Sequence, residues 1–251
     1  MAIQQRYFIE LTYDGTSYHG WQVQPNAFTV QEELNKALAT ILRQPVDTLG
    51  CGRTDTGVHA TQFFAHLDTE RPKFEIENSK FEMSLNAILP KDIAVKRIIP
   101  VHEDAHARFD ATVRSYEYHI HFAKDPFKLN RSWELRDKPD IALMNAAAKI
   151  IMEYTDFSCF SKSNTQTFTN NCKVSRAEWV ETEDGMVFHI SADRFLRNMV
   201  RAIVGTLMEI GLKKMRPEEI RNIIESKNRS NAGTSVPACG LYLTKVKYPY
   251  L

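Results

Sequence analysis

Residues 51–67 read CGRTDTGVHATQFFAHL, a turn-rich loop that runs directly into a strand-like stretch. The loop places one carboxylate, Asp55, between two threonines and surrounds it with an arginine, a histidine and two glycines. Glycine permits backbone conformations that other residues avoid, and threonine hydroxyls can bond to the nearby main chain. An ordinary surface turn would use the same residue types, but the pattern also suits a fixed loop that presents one carboxylate. Asp55 is therefore the first candidate for a catalytic group.

The composition is that of a globular protein with one large core or two smaller ones. The chain has 251 residues, of which 43% are hydrophobic, and a formal net charge of +1. No stretch approaches the roughly 18 apolar residues that cross a membrane, and the start lacks a signal-like apolar core, so we expect a cytoplasmic protein. The four cysteines are scattered without a CxxC pair, which argues against a disulfide framework and a thiolate zinc site.

Hydrophobic periodicity predicts a first α/β lobe over residues 1–107. Residues 7–13 alternate as a half-buried strand, and Thr29 followed by Glu32 predicts the start of a helix. TQFFAHL reads as a second strand. The same capping pattern recurs at Ser79, ahead of a third strand at DIAVKRIIP.

A second α/β lobe is predicted over residues 108–251. It opens with the alternating strand ATVRSYEYHIHF, and Asp140 then caps a helix. KVSRAEWVE and MVFHISA flank an Asp-Gly pair, which is a strong hairpin signal. A long helix is predicted from Phe195, Pro217 starts another helix, and LYLTKVKY closes the chain as a strand. Because both halves alternate strands and helices in comparable order, we expect an α+β fold of two related lobes with joined sheets and a cleft between them.

Two basic runs give a nearly neutral chain local positive charge. One lies within residues 157–176, and the other, at residues 195–216, contains five cations and one acid. Either run could be a solvated face, but two such runs in one nearly neutral chain favour a binding patch. The candidate contacts are Lys162, Arg197, Lys213 and Lys214.

Two further residue types could take part in chemistry. Arg197 and Arg201 lie four residues apart in the predicted helix, so both should project from the same side. An arginine beside Asp55 would keep the carboxylate ionised, as a nucleophile or base must be, although an ordinary salt bridge explains the arginines equally well. Tyr116 belongs to the apolar side of its strand, where core packing is common, but a tyrosine at a cleft edge can also stack on a base.

Other chemistries lack their usual motifs. His119 and His121 point the same way from a predicted strand, but no HExxH helix or cysteine pair accompanies them. The sequence contains no GxxxxGKS phosphate loop, no GxGxxG and no GxSxG. It therefore predicts neither a metal site nor a cofactor.

Six sequence blocks follow one another in order: YDGTSYHGWQVQPNAFTVQEEL, GRTDTGVHA, LNAILPKDIAV, ARFDATVRSYEY, FLRNMVRAIVGTLMEIG and PACGLYL. With these blocks the chain resembles the TruA family of tRNA pseudouridine synthases over nearly its whole length. The resemblance implies the pseudouridine synthase fold, with two similar ferredoxin-like lobes and mainly antiparallel sheets. It also implies a cofactor-independent homodimer that binds tRNA and isomerises uridine to pseudouridine in the anticodon arm, at positions 38, 39 and 40.

The resemblance further implies roles for individual residues. Asp55 matches the family's essential aspartate, and Tyr116 matches the tyrosine that stacks on the target uracil. Arg201 corresponds to the arginine paired with the aspartate, and Arg53 to the arginine that assists extrusion of the target base. Leu241 matches a position that lines the uracil pocket.

The sequence leaves several alternatives open for the mechanism and the substrate. Asp55 could add to C1′ of the ribose or remove a ribose proton to give a glycal, and both routes need the same aspartate. The substrate could be another RNA that undergoes the same chemistry. A non-catalytic RNA-binding protein is the alternative from a different class, although it would have no need of the aspartate and the arginine that are both present. The loop at residues 157–173 has no residue-by-residue match to the family.

Overall fold

A computed structural model describes residues 5–70, 76–162 and 168–251. The chain forms two compact units, one of Met1–Thr112 with Leu243–Leu251 and the other of Val113–Tyr242. The sequence places the boundary between residues 107 and 108, whereas the structure places it after Thr112 and returns the last residues to the first unit. Part of the unassigned loop, residues 163–167, lies outside the described residues.

The first unit is built on a sheet with antiparallel pairing. Its strands are β1 (Gln5–Tyr13), β2 (Leu49–Gly50), β3 (His59–Thr69), β4 (Ile93–Pro100) and, from the end of the chain, the part of β9 (Leu241–Lys247) that begins at Leu243. The order is β4-β1-β3-β9, and β2 pairs with β3. The backbone N–H of Val246 donates to Gln62 Oε1 at 2.9 Å, which helps to fix β9 beside β3. This pairing explains why the end of the chain belongs to the first unit.

Strand β1 forms the centre of the first core. The sequence predicts a half-buried strand, but Tyr7, Phe8 and Ile9 are all fully buried. Successive side chains of a strand point to opposite faces, so this part of β1 is covered on both. The simple alternation holds only further along, where Glu10 and Thr12 are partly exposed between buried neighbours.

Two helices of the first unit, α1 (Val30–Leu42) and α2 (Ser79–Ile88), contact each other, and α2 also contacts β4. The predicted cap of α1 is confirmed, because Thr29 Oγ1 accepts a bond from the backbone N–H of Glu32 at 3.4 Å. For α2 the predicted cap is wrong by one residue. Asn78 is the cap, since its Oδ1 accepts from the N–H of Phe81 at 2.9 Å while Ser79 is already helical. Asparagine and serine are about equally good N-caps, so composition alone does not separate them.

The strands of the second unit pair mostly antiparallel. They are β5 (Val113–His121), β6 (Trp133–Glu134), β7 (Val174–Glu181) and β8 (Gly185–Ala192). The order is β5-β8-β7, and β6 lies parallel to β5. The predicted hairpin between β7 and β8 is confirmed, and the N–H of Thr182 closes its turn on the carbonyl of Gly185 at 3.0 Å.

Three helices pack in the second unit: α3 (Ile141–Ile151), α4 (Met199–Gly211) and α5 (Glu219–Ser226). Helix α3 contacts β7, α4 and α5. Its predicted cap is confirmed, because Asp140 Oδ1 accepts from the N–H groups of Ala142 and Leu143. Among the described residues, no helix combines the length and the apolar character that a membrane crossing requires.

The predicted starts of α4 and α5 are both too early. Helix α4 begins at Met199, because Asn198 before it adopts left-handed backbone with φ of 67°. Arg197 therefore lies outside the helix, and the prediction that it shares a helix face with Arg201 is wrong. Helix α5 begins at Glu219, two residues after Pro217.

The capping difference in α2 gives a matched pair of substitutions. Asn78→Ala removes the side chain that satisfies the first turn, so the free energy of unfolding should fall by about 1 kcal/mol. Ser79→Ala alters an exposed first-turn residue to the best helix former, so stability should stay nearly constant. Urea denaturation followed by circular dichroism measures both, and a larger loss for Ser79→Ala would return the cap to the serine.

Candidate active site

Asp55 lies in the loop that connects β2 to β3. The N–H of Cys51 donates to the carbonyl of Phe64 at 2.7 Å at the start of the loop. At its end, the N–H of Val58 donates to the carbonyl of Asp55 at 3.1 Å and closes a tight turn. Gly57 supplies the left-handed backbone of that turn with φ of 78°. The loop therefore holds Asp55 at a defined position on the main chain, where it is half-buried.

A second stretch of chain, residues 14–21, lies against this loop, and we call it the wall segment. The N–H of Gly57 donates to the carbonyl of Tyr18 at 3.3 Å, and the N–H of Trp21 donates to the carbonyl of Thr54 at 3.4 Å. These two bonds connect main chain to main chain on either side of Asp55. They fix the backbone of the loop without using the carboxylate.

Two glycines allow the wall segment to approach so closely. A Cβ on Gly15 would lie 2.0 Å from the carbonyl oxygen of Val58, and one on Gly20 would lie 2.2 Å from that of Thr54. Gly20 also has a φ of 86°, which side-chain-bearing residues rarely adopt. A Cβ on Gly52, at the other end of the loop, would meet no atom within 4 Å.

Buried polar groups anchor the wall segment. The imidazole of His59 is buried, and its Nδ1 accepts a bond from the N–H of Gly15 at 3.0 Å. The hydroxyl of Tyr18 donates to Asp92 at 2.6 Å. Burial is the main cause that raises the pKa of Tyr18 far above its usual value, and this hydrogen bond is the second. Tyr18 therefore stays a neutral donor. The sequence singles out neither residue, although the two glycines of the YDGTSYHG block are a signal that could have revealed the wall.

Arg201 lies in the first turn of α4, in the second unit. Its Nε donates to the carbonyl of Val236 at 2.7 Å, and its own carbonyl accepts from the N–H of Val236 at 3.3 Å. The arginine is thus tied to the segment that follows α5. We call this segment, residues 229–236, the arginine support.

The arginine support is itself fixed against α4. Ser235 Oγ accepts bonds from Asn198 Nδ2 at 2.6 Å and from Arg229 Nη2 at 2.9 Å. A Cβ on Gly205 of α4 would lie 1.8 Å from the carbonyl oxygen of Thr234. Sequence reasoning missed these residues, and the glycine inside the run SNAGTSVP was the signal for a close approach.

Tyr116 occupies a different environment from its neighbour Tyr118. Tyr118 is fully buried, its hydroxyl donates to the carbonyl of Pro237 at 2.8 Å, and burial raises its pKa. Tyr116 is only half-buried, and its ring meets that of Phe195 edge-on with the centroids 5.1 Å apart. Core packing therefore accounts for Tyr118 but does not remove Tyr116 from the candidates.

The remaining candidates differ in exposure. Arg53 lies in the Asp55 loop of the first unit and is exposed. Leu241 lies in the second unit and is buried, with 6% of its surface exposed. Both Asp55 and Arg53 belong to the first unit, whereas Tyr116, Arg201 and Leu241 belong to the second.

The basic candidates all belong to the second unit and are exposed. The N–H of Lys162 donates to the carbonyl of Arg197 at 3.2 Å, so the structure brings these two together. Lys213 and Lys214 follow the other end of α4, about 20 Å away by the rise of a 13-residue helix. Lys213 forms an ion pair with Asp140 at 3.8 Å.

His119, one of the two histidines of β5, has other contacts. His119 Nε2 lies 3.1 Å from Glu117 Oε2, and the ring of His119 meets that of Tyr242 edge-on. In the part of the chain that the structure describes, no group of three or more His, Cys, Asp or Glu side chains is arranged to hold a metal ion.

Comparison with known proteins identifies the family. The family model described as tRNA pseudouridine synthase matches residues 11–110 and 153–249. The chain is 51% identical to the tRNA pseudouridine synthase A of Bacteroides fragilis over 98% of this chain and 97% of that protein. It is 49% identical to the protein of the same name from Parabacteroides distasonis, over 98% and 96% of the two chains. The chain belongs to the tRNA pseudouridine synthase family, and it is an isomerase that acts on tRNA.

The close approach of the wall segment predicts a strong effect of one methyl group. Gly20→Ala sets a Cβ against the Thr54 carbonyl and should displace the Asp55 loop, with a loss of pseudouridine formation of roughly 100-fold. Gly52→Ala, in the same loop but facing open space, is the control and should keep nearly full activity. Circular dichroism establishes that both variants are folded. Equal activity of the two variants would contradict the role of the wall.

Proposed function

We propose that this protein isomerises uridine to pseudouridine in the anticodon arm of tRNA, at positions 38, 39 and 40, with Asp55 as the catalytic carboxylate. The observation that carries the proposal is the fixed, half-buried loop position of Asp55 in a member of this family. Two main-chain bonds hold the loop on either side of the carboxylate, and such preorganisation lets one side chain act at a defined point on a substrate.

The chemistry matches what one ionised carboxylate can do. The bond between N1 of uracil and C1′ of ribose breaks, the uracil turns, and a bond forms between C5 and C1′. C5 loses its proton and N1 gains one, so the product has the same atoms as the substrate and no electrons are exchanged. Asp55 acts either as a nucleophile toward C1′ or as the base that removes a ribose proton.

The other site residues receive roles that suit their chemistry. Arg201 takes the role of the family's arginine, and its bond to the Val236 carbonyl supports a fixed position for the guanidinium. The half-buried ring of Tyr116 stacks on the target uracil. Arg53, exposed in the catalytic loop, assists extrusion of the base, and Leu241 lines the uracil pocket.

Replacing the carboxylate separates chemistry from binding. Asp55→Asn nearly preserves shape but removes the charge, so it should abolish isomerisation and leave tRNA affinity within about tenfold, or 1.4 kcal/mol. Carbodiimide-dependent primer extension on an unmodified tRNA transcript maps the product for wild type and variant. A ribosomal RNA transcript tests the alternative substrate in parallel. Pseudouridine formation by Asp55→Asn would end the assignment.

Binding of the RNA backbone is proposed for Lys162, Arg197, Lys213 and Lys214. Extrusion of a base from a stem costs a few kcal/mol in lost stacking and pairing, which phosphate contacts can offset. The adjacent pair Lys162 and Arg197 is the best supported, because their backbones are hydrogen-bonded and both side chains reach solvent.

Salt dependence measures these contacts directly. The affinity for tRNA should fall steeply with added salt, and neutralising one phosphate contact should reduce the log–log slope by about 1. We therefore expect Arg197→Ala to lower the slope and Glu181→Ala, which removes an exposed anion at the end of β7, to leave it unchanged. A flat salt dependence of the wild type would remove backbone contacts as the main source of affinity.

We further propose that the active protein is a cytoplasmic homodimer, in which one protomer binds RNA that its partner helps to position. Support for the dimer comes from the family resemblance. Sedimentation velocity at the concentration used for the activity assay should give twice the monomer mass of 28.9 kDa. A monomer that is fully active would contradict the dimer and leave the reaction assignment intact.

A further inference from the structure

Phe109 exposes an aromatic ring in polar surroundings. It is 75% exposed, on the segment that follows β4 in the first unit. The other apolar residues of that segment are buried, namely Val101, Ala105 and Ala107. Residues 102–104 and Arg108 are polar and exposed. A lone ring of this kind differs from the broad apolar patch that a protein partner usually covers.

The exposed ring is the outer end of an aromatic column that begins in the core. Phe8 of β1 is fully buried and lies parallel to His66 with the ring centroids 6.1 Å apart. His66 meets His106 edge-on at 4.9 Å, and His106 lies 4.2 Å from Phe109 with the planes tilted by 34°. Four rings thus run from the core to solvent, and the last of them is mostly exposed.

Hydrogen bonds fix the outer part of this column. Nδ1 of His106 accepts bonds from the N–H groups of Arg108 at 3.1 Å and Phe109 at 3.2 Å. Asp110 Oδ2 accepts from the N–H of His106 at 2.7 Å and from the hydroxyl of Tyr250 at 2.8 Å. The segment is therefore held in place before any ligand binds, so ordering the ring for a ligand costs little conformational entropy.

Charge at the end of the column is mixed, because the exposed segment carries Glu103 and Asp104 as well as Arg108. Burial lowers the pKa of His66 to about 4, with the nearby Arg6 adding to the shift, and burial also lowers the pKa of His106. Both imidazoles are therefore neutral at neutral pH, and Nδ1 of His106 can accept its two bonds. The Arg108 guanidinium lies over the Phe109 ring, 5.6 Å from its centroid, and adds positive charge beside the exposed ring.

We propose that Phe109 is a stacking platform for an unpaired base of the RNA substrate, and that Arg108 contacts the adjoining phosphate. Aromatic rings that end in solvent beside a cation are typical of single-stranded RNA recognition, because every base has a π-face that can continue the stack. This inference rests on the proposed function, since it assigns a further contact to the same substrate. Phe109 takes no part in the chemistry, and its role is to orient the RNA.

Three substitutions at one exposed position test the stacking contact. Phe109→Ala should weaken tRNA binding by roughly 5- to 150-fold, the range for loss of one base–aromatic stack. Phe109→Leu keeps an apolar side chain without a π-face, so it should bind as weakly as Phe109→Ala. Phe109→Trp should bind within about threefold of the wild type, because tryptophan also stacks. Each variant should melt at nearly the wild-type temperature, since the side chain is mostly exposed.

Two further readouts separate stacking from other contacts. The log–log salt slope of tRNA binding should be unchanged in Phe109→Ala and lower by about 1 in Arg108→Ala. The fluorescence of the added indole in Phe109→Trp, taken as the difference from wild type, should be quenched when tRNA binds.

Several outcomes would overturn the stacking platform. One is wild-type tRNA affinity in Phe109→Ala or in Phe109→Leu, and another is an indole fluorescence in Phe109→Trp that tRNA does not change. A lower sedimenting mass of Phe109→Ala would indicate that the ring contacts a protein instead. The proposed function fails separately, if wild-type protein forms no pseudouridine in the tRNA transcript. Pseudouridine formation by wild type together with unaltered binding by Phe109→Ala would overturn this inference alone.

Discussion

The contact on which the candidate site depends is the close approach of two backbones, the wall segment and the Asp55 loop. At Gly15 and Gly20 the main chains come nearer than any side chain would permit. The hydrogen bonds on either side of Asp55 follow from that approach, because an added Cβ would push the carbonyls of Val58 and Thr54 away. The backbone at Asp55 therefore has a defined position, and the sheet of the first unit serves as the support for that position.

In the second unit, too, a close approach of two backbones positions a charged side chain. Arg201 is held by the carbonyl of Val236, and the arginine support approaches α4 closely only because residue 205 is a glycine. Arg229 keeps the support in shape through bonds to two carbonyls and to Ser235. In both units a charged side chain is positioned by main-chain contacts that glycine allows. A substitution far from the charged group can therefore reduce activity while the fold survives.

The sequence predicted the helices and strands well and the exact residues at which they begin less well. Periodicity located the long strands and helices, and the Thr29 and Asp140 caps were correct, because those signals are local. The start of α4 was missed because Asn198 takes a left-handed conformation that no neighbouring residue announces. Asp55 stood out by its unusual setting, whereas Gly20 and Arg229 did not. Their importance arises from segments far apart in the chain, which a single sequence does not bring together.

The wall segment contacts the Asp55 loop through its backbone, while Ser17 and His19 are exposed. These two side chains can thus change during evolution without moving the backbone at Asp55. Substitutions at these positions therefore alter the surface of the wall segment and leave intact the main-chain bonds that hold the Asp55 loop.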